Sequence, residues 1–127
     1  MAVRELRLAL TVEDFDAALA FYRDGLGLEV LEAWSDGGRV VLLDAGRATL
    51  ELLDAEHAAT VDELEVGRRV AGPVRVALEV DDSAATADAL VAAGAQLIGG
   101  PVTTPWQHRN VRLTAPDGTQ LTLFTVL

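Results

Sequence analysis

Cysteine and lysine are both missing from this 127-residue chain. Without cysteine there can be no disulfide, no thiolate metal site and no thiol nucleophile. Without lysine there is no Schiff-base chemistry, and every positive side chain is an arginine: ten against twenty carboxylates, for a formal charge of −10. That balance argues against nucleic acid and against anionic membrane surfaces, because both select a basic face. Long apolar runs are missing too. Aliphatic stretches such as Val40-Val41-Leu42-Leu43 are short, whereas crossing a bilayer takes roughly 20 apolar residues. Met1-Ala2-Val3-Arg4-Glu5 places charges where a secretory leader needs an apolar stretch, so a cytoplasmic location is expected. The groups left for chemistry are carboxylates, arginines, hydroxyls and two histidines, His57 and His108.

Half of the residues are apolar, enough for one domain with a core of its own. The chain also repeats itself. "RLALTVED" begins at Arg7 and "RVALEVDD" at Arg75. After each comes a helical pattern closed by glycine, Asp14 to Asp24 before Gly25 and Asp82 to Ala93 before Gly94. In the first, Phe15, Ala18, Leu19 and Tyr22 share one helical face. Asp14 and Asp82 stand where an N-cap accepts the free amides of the first turn. Three strand-like segments follow each helix: "LEVLEAW", "GRVVLLDAG" and "ATLELLD", then "AQLIGGPV", "RNVRLTAPDG" and "TQLTLFTV". "APDGTQ" is a turn between two of them. The expectation is an α+β fold of two tandem βαβββ modules, residues 1–54 and 74–127, in one domain spanning 1–127. Residues 55–73 read as a connector with about one helical turn.

This duplicated module, with "FYRDGLGLEV" in its first helix and "PDGTQLTLF" near its end, resembles the vicinal oxygen chelate superfamily. That group includes glyoxalase I, extradiol dioxygenases, fosfomycin resistance enzymes and bleomycin resistance proteins. The resemblance implies a curved eight-stranded sheet forming a cup, helices on its outer face, and commonly a homodimer. It does not imply a particular reaction.

Strand parity reads the cup residue by residue. Leu6, Leu8, Leu10 and Val12 share one face of the first strand, and Val74, Val76, Leu78 and Val80 one face of its repeat. These aliphatic faces are expected to lie under the helices. The opposite faces carry Arg7, Ala9 and Thr11, and Arg75, Ala77 and Glu79. By the same alternation Glu51, Arg112 and Thr122 turn into the cup, where small alanines leave room. Metal-using members of the superfamily carry His, Gln or Glu ligands at four strand positions that fall here on Arg7, Glu51, Arg75 and Thr122. Arginine offers no lone pair and two cations repel a metal, so no metal and no other cofactor is expected.

Arg7, Arg75 and Arg112 can recognise an anion, because the guanidinium fork matches carboxylate or phosphate. They can equally close an internal salt-bridge cluster with Glu51. Trp106, in "TTPWQHRN", can cap the core or lie over a ligand as a flat apolar lid, and Trp34 carries the same two readings. His57 is expected on the surface of the connector, and His108 in a solvated loop near the mouth. The function expected is binding of a small organic ligand, anionic or aromatic, at Arg7, Arg75, Arg112, Thr122, Trp106 and Trp34. The alternatives are a metal-independent lyase or isomerase with Glu51 as general base, and a metal-dependent glyoxalase-like or dioxygenase-like enzyme.

Overall fold

Period-two alternation decides which face each strand buries, and the computed structural model, which describes residues 2–127, shows its result. Eight strands form one open mixed sheet: β1 Val3–Thr11, β2 Val30–Trp34, β3 Val40–Asp44, β4 Thr49–Leu53, β5 Val74–Val80, β6 Gln96–Thr103, β7 His108–Thr114 and β8 Gln120–Val126. Their order is β2-β3-β4-β1-β5-β8-β7-β6. In each half the first strand pairs in parallel with the last, β1 with β4 and β5 with β8. The halves join through the antiparallel pair β1–β5, so the duplication becomes a pseudo-twofold arrangement. At that joint Arg7 faces Ala77 and Ala9 faces Arg75. Each guanidinium stem thus lies opposite a methyl group, which lets two arginines share the centre of one face.

Helices α1 (Phe15–Leu19), continued by a wider π-type turn over Ala20–Gly25, and α3 (Ser83–Ala92) cover the other face. Both start as the sequence suggests. Asp14 accepts from the Ala17 amide and Asp82 from the Ala85 amide, each at 3.0 Å, a cap worth about 1 kcal/mol. Phe15 and Leu19 pack with Val41, Leu43, Leu50 and Leu52, while Ala87 packs with Val80, Val111, Leu113 and Leu123.

Two details depart from expectation. The aliphatic outer face of the central pair is only partly covered: Leu6, Leu8 and Val74 remain 41%, 37% and 49% exposed. Each helix packs over the lateral strands of its own module, and a furrow is left between them. The connector, in turn, holds three helical turns instead of one. This helix, α2 (Ala55–Glu65), is capped by Asp54, which accepts from the His57 amide at 2.8 Å. It lies on the arginine face, opposite α1 and α3, where Val61 packs on Ala9 and Leu53. No helix among the described residues is long and apolar enough to cross a membrane.

Candidate functional site

The position of α2 defines the site, and charge holds it there. Asp62 and Glu65 lie on the buried side of α2, and both are almost wholly out of solvent. Arg112, on β7 and 0% exposed, reaches up between them. Its Nε donates to Glu65 Oε1 at 2.9 Å, and its Nη1 lies 2.9 Å from Asp62 Oδ1. Asn110 Nδ2 donates to Glu65 Oε2 at 2.8 Å, and Thr122 Oγ1 to Glu65 Oε1 at 3.1 Å. The second Asp62 oxygen accepts from the amides of Val70 and Ala71 and from Arg69 Nη1, at 2.8, 2.9 and 2.7 Å. Burial alone would raise the Asp62 pKa. The Ala71 and Val70 amides, Arg69 and Arg112 outweigh it and hold the carboxyl below its ordinary range.

Beside α2 the sheet leaves a cleft of about 730 Å³, its open mouth included. Seven of the eight strands, all but β6, contribute to its lining, which requires a curved sheet. Arg7, Glu51, Arg75, Ala77 and Thr122 form the floor, while Trp34, Val40, Leu42, Val61, Trp106 and Phe124 supply apolar wall. Strand parity thus brings Arg7, Glu51, Arg75 and Thr122 together, and Trp34 and Trp106 join them. Trp106 also packs against the Ala9–Leu53–Val61 cluster, so it is at once a core cap and part of the cleft wall.

Arg112 and Glu79 are not among the lining residues. Arg112, expected to bind ligand, instead spends its donors on α2, and its remaining bonds run to Thr122 and Gln120. Sequence alternation places it on the correct face, but a carboxylate-bearing helix lies over that part of the face.

The two cleft arginines are held differently. Arg75 is buried, with Nη1 donating to Thr122 Oγ1 at 2.8 Å and Nη2 3.9 Å from Glu51 Oε2. That last separation is an ion pair beyond hydrogen-bond length. Arg7 lies over the Phe124 ring, 4.7 Å from its centroid, with Nε 3.1 Å from Glu5 Oε1. Glu5 is in turn held by the Thr49 hydroxyl. Arg7 Nε is buried without a directed hydrogen bond.

Two histidines complete the lining: His57, expected on the surface, is buried, and His108, expected in a loop near the mouth, lines the cleft from a strand. His57 is buried at the first turn of α2, its Nδ1 3.1 Å from the Gly37 carbonyl and its ring 6.0 Å from Trp106. Nδ1 facing a carbonyl must carry the proton, which leaves Nε2 as an acceptor. His108 opens β7 and stacks on Phe124 at 5.0 Å. The signal for α2 was present in its spacing: His57, Val61 and Glu65 recur every fourth residue, one helical face. Because that face ends in a carboxylate, it does not read as a buried one.

Burial lowers the pKa of His57, opposed in part by the charge of Glu51 and the bond to Gly37. Burial and then the charge of Arg7 lower that of His108. For a base held neutral in the fold, the unfolded chain binds protons first, from about pH 6.5 downward. Stability should therefore fall as pH drops from 7 toward 5. A His57→Gln/His108→Gln variant should lose most of that slope in chemical denaturation at stepped pH.

The four residues expected to stand at metal-ligand positions, Arg7, Glu51, Arg75 and Thr122, do not suit a divalent cation. Arg7 and Arg75 bring positive charge and no lone pair, and the Thr122 hydroxyl is bonded to Arg75 and Glu65. Among the described residues no group of three His, Asp or Glu side chains converges as a metal site would require.

A family model described as Glyoxalase/Bleomycin resistance protein/Dioxygenase superfamily matches residues 6–123. No curated protein sequence matches the chain. Among solved structures, a hypothetical protein from Bacillus halodurans C-125 superposes with a TM-score of 0.74 at 18% identity, over 100% of this chain and 96% of that one. A superfamily member from Vibrio splendidus 12B01 gives 0.68 at 16% identity, over 98% and 99%. A Streptomyces coelicolor methylmalonyl-CoA epimerase, solved with 2-nitronate-propionyl-CoA, gives 0.68 at 22% identity over the same shares. At such identities the likeness is one of fold.

Proposed function

The chain belongs to the glyoxalase/bleomycin resistance protein/dioxygenase superfamily, and from that premise we propose that it is a metal-free protein that binds a small organic molecule in the cytoplasm. The observation that carries this reading is the pair of arginines, Arg7 and Arg75, at the centre of an open cleft walled by tryptophans. A ligand would lay a ring or alkyl body against Trp106 and Trp34 and direct a polar head to Arg7 and Arg75, with Thr122 fixing Arg75. Arg112 acts one step removed, by holding the helix that forms the wall.

A second reading keeps the same cleft and adds turnover. The Glu51 carboxylate faces the cleft with its ion-pair partner at 3.9 Å, free to take a proton, while Arg7 or Arg75 steadies the resulting anion. Glu51→Gln would then abolish conversion of the ligand that is still bound.

Native mass spectrometry of untagged protein purified without chelator, paired with elemental analysis, tests the proposal. The expected result is a metal-free dimer that retains an organic molecule. The dimer is proposed because the furrow over β1 and β5 leaves Leu6, Leu8 and Val74 in solvent. Stoichiometric zinc, iron, manganese or nickel would overturn the metal-free reading.

A further inference from the structure

Charges of both signs line the cleft, Arg7 and Arg75 beside Glu32, Glu51 and Glu65. Each arginine already faces a carboxylate, Arg7 with Glu5 at 3.1 Å and Arg75 with Glu51 at 3.9 Å. The Glu65 carboxylate is taken up by Arg112, Asn110 and Thr122. A purely anionic ligand would therefore enter a site whose positive charge is already answered, and would meet Glu51 on the way in.

The geometry points to a zwitterionic ligand of the amino-acid type, with its carboxylate on Arg7, its ammonium on Glu51 and its side chain against Trp106. This inference rests on the binding reading above and names the ligand class. Three observations support it. Arg7 lines the cleft, and beyond its ion pair with Glu5 its guanidinium makes no directed hydrogen bond among the described residues. Glu51 has one ion-pair partner, beyond hydrogen-bond reach, so its oxygens can accept from a donor placed between. Strand register also places the two groups side by side: Arg7 pairs with Thr49 in the parallel β1–β4 pair, and Glu51 lies two residues further along β4, so both rise from neighbouring strands and both line the cleft. A molecule carrying a carboxylate and an ammonium on one carbon offers one group to each. His57 Nε2, the free acceptor on the adjoining wall, takes a further N–H.

The test uses the whole wild-type protein and three probes that share a phenyl group: phenylalanine, 3-phenylpropionate without the amine, and phenethylamine without the carboxylate. Calorimetry should show phenylalanine binding at least about tenfold more tightly than either single-charge probe, the gain expected of one added charge-assisted hydrogen bond. Arg7→Met should remove its advantage over phenethylamine, and Glu51→Gln its advantage over 3-phenylpropionate. Equal or tighter binding of 3-phenylpropionate would overturn the inference in favour of an anion site, and equal or tighter binding of phenethylamine in favour of a cation site. Failure of all three to bind would also overturn it. The binding reading itself stands or falls separately, on the retained molecule in the native mass spectrum.

Discussion

Replacing Arg112 with methionine should cost about 3–5 kcal/mol of folding stability, because it leaves two buried carboxylates without their common counter-ion. In a domain of this size that corresponds to a fall in melting temperature of roughly 10–20 °C. Methionine keeps most of the volume, so the loss reports on charge more than on packing. Asp62 and Glu65 are each tied to Arg112 at 2.9 Å, and in the wild type the Asp62 carboxyl is held below its ordinary pKa. Its contribution is therefore present above about pH 4 and fades as the pH falls through the folded value. With the guanidinium gone, Asp62 keeps Arg69 and the Val70 and Ala71 amides, whereas Glu65 is left buried with Asn110 and Thr122 as its donors. A buried charge without a counter-ion is costly, so Arg112→Met should be less destabilised in acid than near neutrality. Adding Glu65→Gln should recover part of the loss, since an amide costs less to bury than an unpaired charge. Parallel pH-dependent denaturation of the three proteins measures this, and equal destabilisation at pH 4 and pH 7 would contradict it.

Gly38→Ala should be nearly as damaging, for steric reasons. Gly38 has φ +94°, where residues with a side chain are strained, and an added Cβ would lie 2.2 Å from the His57 amide nitrogen and 2.6 Å from Asp54 Oδ1. Both neighbours are fixed: one is backbone, the other the cap of α2. Backbone strain and overpacking together should cost about 3 kcal/mol or more. Gly46→Ala provides the control, with φ +81° and nothing within 4 Å of the added carbon, so it meets the conformational penalty alone, about 1 kcal/mol. Denaturant midpoints should separate the two clearly. Gly38→Ala should also weaken ligand binding, because the Gly37 carbonyl anchors His57 and Thr60, and displacing that turn moves the cleft wall.

Much of this molecule was legible in its residues. The repeated octapeptides, the aspartate caps and the strand alternation are local signals whose partners lie a few positions away. They indicated two modules, eight strands, and one face shared by Arg7, Glu51, Arg75 and Thr122.

Only the tertiary structure decided where α2 lies and what each arginine does. A helix that buries Asp62 and Glu65 shows no apolar stripe, so nothing within residues 55–65 marks it as interior. Its burial becomes tolerable only because Arg112, far along the chain on β7, meets it across the sheet. The same separation hid the pairing of Arg75 with Thr122 and the incomplete cover over Leu6 and Leu8. Periodicity tells which face a side chain takes. Which partner waits on that face, and how its charge is answered, depends on contacts between distant segments, and these exist only once the sheet has curved and the connector has folded against it.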